Sequence, residues 1–226
     1  MRKIILVLLL SLPSSLWAQG TLGLRFEGGL SWMWGGGLEG AGPKTETAIQ
    51  PQVCAGLFYS CNPAFRLGVE YSYTRMLREQ TQPNLLSLPD GGVKGDVYRD
   101  LKTNFHTLGV TVEANLLGHR SGKTPLSLYA GTGIGCLFAF GNTYTLGVSN
   151  SFKPDGSGNT VHVTGQNERH NYFVPCIPAT LSLEYLLFPQ VALRISSGYR
   201  FVLAGDQELS PKGQVVATVG LCFQLK

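Results

Sequence analysis

Four histidines, five cysteines and a set of arginines and glutamates on alternating segments are the side chains of this 226-residue chain best suited to chemistry. Ester hydrolysis needs a serine, a histidine and an acid converging on one point. His119 falls in a short turn, His162 in a long connection, and His106 and His170 near one rim of the strands. No serine stands two residues from His106, so the histidines read as rim and loop residues and no catalytic residue is assigned. His162 and His170 are too sparse a pair for a metal centre, and neither a metal nor a cofactor is expected. Cys54, Cys176 and Cys222 share one strand parity, Cys136 has the other, and Cys61 lies in a turn. An extended strand would hold Cys54 and Cys61 roughly 20 Å apart, too far to bridge. Gly35-Gly36-Gly37-Leu38-Glu39-Gly40 is a loop rather than a phosphate cradle, because no helix follows it.

The charged set is more informative. Arg25, Glu27, Arg66, Glu70, Glu113, Glu184, Arg194 and Arg200 all fall on the polar side of alternating segments. Counted upward from the short turns, the first seven stand at similar heights and Arg200 stands higher. Buried charges of this kind can gate, relay protons or conduct ions, or can neutralise one another as a plug. The plug is the expectation, because a narrow barrel is filled by its own side chains and an unpaired buried charge is costly.

Strands must position these residues. Eight segments of period-two alternation run over 21–35, 48–60, 64–76, 104–117, 126–141, 178–188, 191–203 and 214–225. In the fourth, Leu108, Val110, Val112 and Ala114 oppose Thr107, Gly109, Thr111 and Glu113. The connections after the second, fourth and sixth are short, whereas 77–103 and 142–177 are long. That asymmetry is expected of an outer-membrane barrel, with short periplasmic turns and longer extracellular loops. Pro51, Pro175 and Pro178 are expected at the outer strand ends, where a missing N–H matters least.

The polar face decides which side is inside. A water-facing surface should carry many lysines and glutamates. Here no lysine occurs within the eight segments, and the polar parity is rich in Gly23, Gly29, Gly68, Gly109, Gly131, Gly133, Gly135, Gly198 and Gly220. Small residues suit the lumen of an eight-stranded barrel. A soluble lipocalin-like barrel would reverse the faces. Trp32, Trp34, Tyr71, Tyr73, Phe138, Phe140, Tyr199 and Phe201 gather towards the loop ends, and Tyr59, Phe65, Tyr185, Phe188 and Phe223 towards the turn ends. Two such bands mark two membrane interfaces.

The remaining composition agrees. Charged residues make up 14% of the chain against roughly 25% in typical soluble domains. A net charge of +4 with scattered basic residues leaves no nucleic-acid footprint. Arg2 and Lys3, an apolar run over 4–12 and the small residue Ala18 read as an export signal cut before Gln19. The chain thus divides into a signal peptide, 1–18, and a barrel domain, 19–226. The fold class is all-β, an eight-stranded antiparallel up-and-down transmembrane β-barrel.

With its export signal, its alternating strands and its last strand ending Gly220-Leu221-Cys222-Phe223-Gln224-Leu225-Lys226, the chain resembles outer-membrane barrel families of Bacteroidetes, the porT-like group among them, and the small OmpA-type barrels. The resemblance implies insertion by the barrel-assembly machinery, contact with outer-membrane lipid and lipopolysaccharide, and an extracellular or secretion-system protein partner. The expected function is a non-enzymatic outer-membrane protein, structural or surface-interacting, with loops as the binding surface and a plugged polar lumen. A secretion accessory and a lipid A-modifying enzyme are the alternatives.

Overall fold

The computed structural model describes residues 20–34, 49–80, 84–87, 93–117, 125–152, 159–203 and 211–225. The expected signal peptide, the glycine-rich loop at 35–40 and His119 lie outside the described residues. Nine strands are present among them: β1 (Thr21–Trp34), β2 (Ile49–Asn62), β3 (Phe65–Gln80), β4 (Asn84–Ser87), β5 (Val93–Asn115), β6 (Leu126–Phe152), β7 (Asn159–Phe188), β8 (Val191–Val202) and β9 (Gly213–Leu225).

All pairings are antiparallel, and β3 pairs with β5 as well as with β2. That last pairing closes eight strands into a ring and removes the open edges a flat sheet would leave. β4 stands off the ring as a short partner to the start of β5. The register fixes the shape. From Ser60, pairs run through Arg66, Glu113, Gly131, Thr180, Gly198, Val216 and Ser31 and return to β2 at Gln50, a stagger of ten residues. Ten residues climb about 33 Å while eight strands span about 38 Å, so the strands tilt by about 40°.

Side chains alternate strictly between two environments. On β5, Leu108, Val110 and Val112 are exposed while Thr107, Thr111 and Glu113 are buried. On β1, Leu22, Phe26, Leu30 and Trp32 are exposed while Arg25, Glu27 and Ser31 are buried. The outward wall is therefore apolar and the lumen largely polar. Crowding explains several lumen glycines: a Cβ at Gly133 would collide with the Val110 carbonyl oxygen, and one at Gly220 with that of Phe26.

The structure corrects the strand ends. Residues 77–103 and 142–177, expected as loops, are mostly strand, since β3, β5, β6 and β7 continue well past the barrel rim. There the sequence alternates poorly between polar and apolar, because a sheet with water on both faces needs no apolar side. The β-branched residues Thr143, Thr145, Val148, Val163 and Thr164 still favour extended backbone. His162 accordingly sits in β7 rather than in a loop, and His170 lies in the same strand one pair beyond Phe140, near the barrel rim. Cys61 is not in a turn but near the end of β2, where the register shifts between Ser60 and Asn62.

Pro175 and Pro178 also fall inside β7, not at its outer end. The β6–β7 ladder lapses between the Thr132–Ala179 and Gly135–Cys176 pairs, where Pro178 has no N–H to give. The Thr132 hydroxyl instead donates to the Pro178 carbonyl at 3.0 Å. Proline is thus accommodated within a long strand at the cost of one local gap.

Candidate functional site

The lumen holds the densest polar chemistry among the described residues. β1 contributes Arg25 and Glu27, β3 Arg66 and Glu70, β5 Glu113, β7 Glu184, and β8 Arg194 and Arg200. Lumen parity on these tilted strands brings the eight residues into one network. Arg25 joins Glu113 and Glu70, each at 2.6 Å. Arg194 reaches Glu113 at 2.7 Å, Glu184 at 2.8 Å and Glu27 at 3.0 Å. Arg66 binds both oxygens of Glu184, at 2.7 and 2.8 Å. Arg200, one level higher, meets Glu70 at 3.4 Å. Four cations and four anions balance, which is what a buried cluster requires.

Neutral groups extend the network upward and sideways. Arg200 donates to the Gln214 side-chain oxygen at 2.8 Å, and Gln214 in turn donates to Gln52 at 3.1 Å. Thr74 donates to the same Gln52 oxygen. The Thr218 hydroxyl donates to Glu27. At the turn end, the Arg66 guanidinium stacks 4.0 Å from the Tyr129 ring centroid and 4.8 Å from that of Phe58. A cavity of about 40 Å³ remains between Glu27, Gln52, Glu70, Arg194, Arg200 and Thr218. It has room for a few water molecules at most, each occupying about 10–15 Å³ on this measure.

A second layer was missed in the sequence. Met33, Met76, Leu101, Phe105, Leu137, Ala139, Val174, Cys176 and Val202 form a buried apolar cluster at the loop end of the lumen, with Tyr172 packed against it. The lumen is therefore not polar throughout: a neutralised charged layer lies below an apolar cap. The signal was available, because these residues stand at the lumen parity of their strands. Phe105 is eight residues above Glu113 on β5.

The other candidates are separate from this network. Cys54, Cys176 and Cys222 are buried in the lumen, and all five cysteines are free. His106 points outward: its Nδ1 shares a 2.7 Å hydrogen bond with the Tyr71 hydroxyl, and its ring packs against Tyr73 and Phe140. This is an aromatic anchor at the wall rather than a base held beside a nucleophile. His162 and His170 sit nine pairs and one pair beyond Phe140 towards the tip of the β6–β7 extension. No group of three metal-ligating side chains occurs among the described residues.

No family model and no curated protein matches this sequence. Similar solved structures include Neisserial surface protein A, at 10% identity and a TM-score of 0.49 over 90% of this chain and 97% of that one. Another is Ail, the attachment invasion locus protein of Yersinia pestis, at 11% identity and 0.46 over 91% and 97%. A third is a major outer membrane protein from Thermus thermophilus, at 10% identity and 0.47 over 92% and 100%. The fold assignment rests on the chain's own register: it is an all-β protein whose eight antiparallel strands close into a hydrogen-bonded ring.

Proposed function

We propose that this chain is a non-enzymatic integral outer-membrane barrel, sealed along its lumen, whose strand extensions form an extracellular interaction surface. The observation that carries this reading is the inversion of its two faces. Phe26, Leu30, Val69, Val110, Ile134 and Leu181 are exposed on the wall, while eight mutually paired charges are gathered inside. Such a wall in water would be an apolar patch far larger than soluble proteins tolerate. In a bilayer it is the ordinary lipid-facing surface. From Leu22 to Trp32, β1 rises about 25 Å at its tilt, the height of the apolar band of such barrels.

The short connections at Pro63–Ala64 and Pro189–Gln190 mark the periplasmic end, and the termini emerge there with them. The extensions of β3, β5, β6 and β7 then project outside the cell. Insertion by the barrel-assembly machinery and contact with lipopolysaccharide follow from the same placement. Fractionation with heat modifiability tests it. The protein is expected in the outer-membrane fraction, migrating differently on SDS gels before and after boiling. Recovery as a soluble periplasmic protein with no shift would mean that the apolar wall is covered by something other than lipid.

A further inference from the structure

The outward wall carries described cations in one sector. Arg75 on β3, Lys102 on β5 and Arg169 on β7 are all exposed and share outward parity. Two successive rows of the sheet hold them. One row runs Arg75–Asn104–Phe140–Asn171, and the next runs Leu77–Lys102–Asn142–Arg169. Arg75 and Lys102 are diagonal neighbours across β3 and β5, a spacing of about 7–8 Å that long side chains bridge. The strand tilt places Arg75 at the aromatic level, Lys102 above it and Arg169 higher again. Further along the same ladder Glu79 pairs with Asp100.

Directly below stands the aromatic row Tyr73–His106–Phe138–Phe173. The Tyr73 hydroxyl donates to the Asn104 side-chain oxygen at 2.9 Å, fixing that amide at the boundary. Beneath the aromatics the wall is apolar: Val69, Leu108, Val110 and Ile134 are exposed. One sector therefore presents, in order, acyl-compatible surface, interfacial rings and cations with amide donors. That order matches an anionic lipid from tail to headgroup. Arginine and lysine bind phosphate through charge-assisted hydrogen bonds, and the surface charge of a membrane concentrates on such a site.

From this stratification we infer that the β3–β5–β7 sector is a binding site for a phosphate-bearing lipid of the outer leaflet, with Arg75 and Lys102 as its phosphate ligands and Arg169 as an outer cation. The inference rests on the outer-membrane reading and adds to it a place and the residues that would hold the lipid phosphates. Lipid phosphates are the occupant because the site is continuous with acyl-compatible wall, which a free anion would not need.

The test reconstitutes the full chain in nanodiscs of phosphatidylcholine doped with bisphosphorylated lipid A or with its dephosphorylated counterpart, then measures co-retained lipid by native mass spectrometry. The wild type should retain the phosphorylated form preferentially. Arg75→Gln with Lys102→Gln should reduce that preference by about 25-fold, two cations at about fivefold each near a membrane surface. Lys212→Gln, near the start of β9, should leave it unchanged. Equal retention of the two lipids, or an unchanged preference in the double variant, overturns the site. Heat modifiability of each sample separates the two claims: a barrel that inserts without selecting phosphate loses only this inference, and a chain that does not insert loses the membrane reading as well.

Discussion

Arg25 and Glu113 belong to strands that do not pair, yet their side chains meet at 2.6 Å across the lumen. A single salt bridge spanning the barrel shows how little open bore there is. Arg194 holds the same Glu113 carboxylate from the far side, also buried. Glu113 is therefore one node of the network, shared by two guanidinium groups as Glu184 and Glu70 also are. Replacing Glu113 with Ala leaves two buried cations short of a partner, and the expected cost is about 3–5 kcal/mol. Urea unfolding of the variant in lipid vesicles checks it, and a loss below about 1 kcal/mol would place the network's stabilisation elsewhere.

Two layers fill the lumen, and on the proposed reading either one suffices to seal it. Truncating Phe105 and Leu137 to alanine opens the apolar cap but leaves the charged layer with Arg25, Glu113 and Arg194 in place. Wild type and the double variant should both be silent in planar bilayers. Discrete conductance steps from the wild type would mean that the network moves enough to let ions through.

Crowding of the lumen wall predicts intolerance of even one methyl group at Gly133. Its Cβ would meet a backbone carbonyl, which cannot rotate away as a flexible side chain can. Gly133→Ala is expected to lose about 1–3 kcal/mol, the usual penalty for overpacking. Unfolding titrations alongside Gly28→Ala give the contrast, because nothing lies within 4 Å of a Cβ at Gly28. Equal behaviour of the two variants would contradict the register assigned to β5 and β6.

Cysteine reactivity reports the faces directly. Cys54, Cys176 and Cys222 are buried in the lumen, and Cys136 stands at the outward parity of Leu108. A bulky, membrane-impermeant maleimide should modify only Cys61, at the turn end of β2, while the protein is folded in vesicles. Boiling in detergent should expose the other four. Rapid labelling of Cys54 in the folded state would show the lumen open to solutes.

Much of this was legible in the sequence because a barrel wall has only two environments. Alternation placed Arg25, Glu113 and Arg194 on one side and Leu108 and Val110 on the other, and parity alone put the eight charges within reach of one another. The extents of β6 and β7 were not legible. Past the rim the strands no longer divide a lumen from an apolar wall, so 142–152 and 159–170 lose the apolar alternation while keeping their ladder. Pro175 and Pro178 added a false boundary, since proline within a strand is tolerated where the pairing lapses locally. The apolar cap was not legible because Met33, Phe105 and Leu137 stand at lumen parity but reverse the polar character that marks the lumen lower down.

The central claim is that the apolar wall faces lipid. Fluorescence quenching by lipids brominated at mid-chain measures that contact most directly. With Trp17, Trp32 and Trp34 changed to Phe and a single tryptophan introduced by Val110→Trp, the account predicts strong quenching in vesicles of brominated lipid. An emission unaffected by bromine, with the maximum of a water-exposed or protein-buried ring, would contradict it.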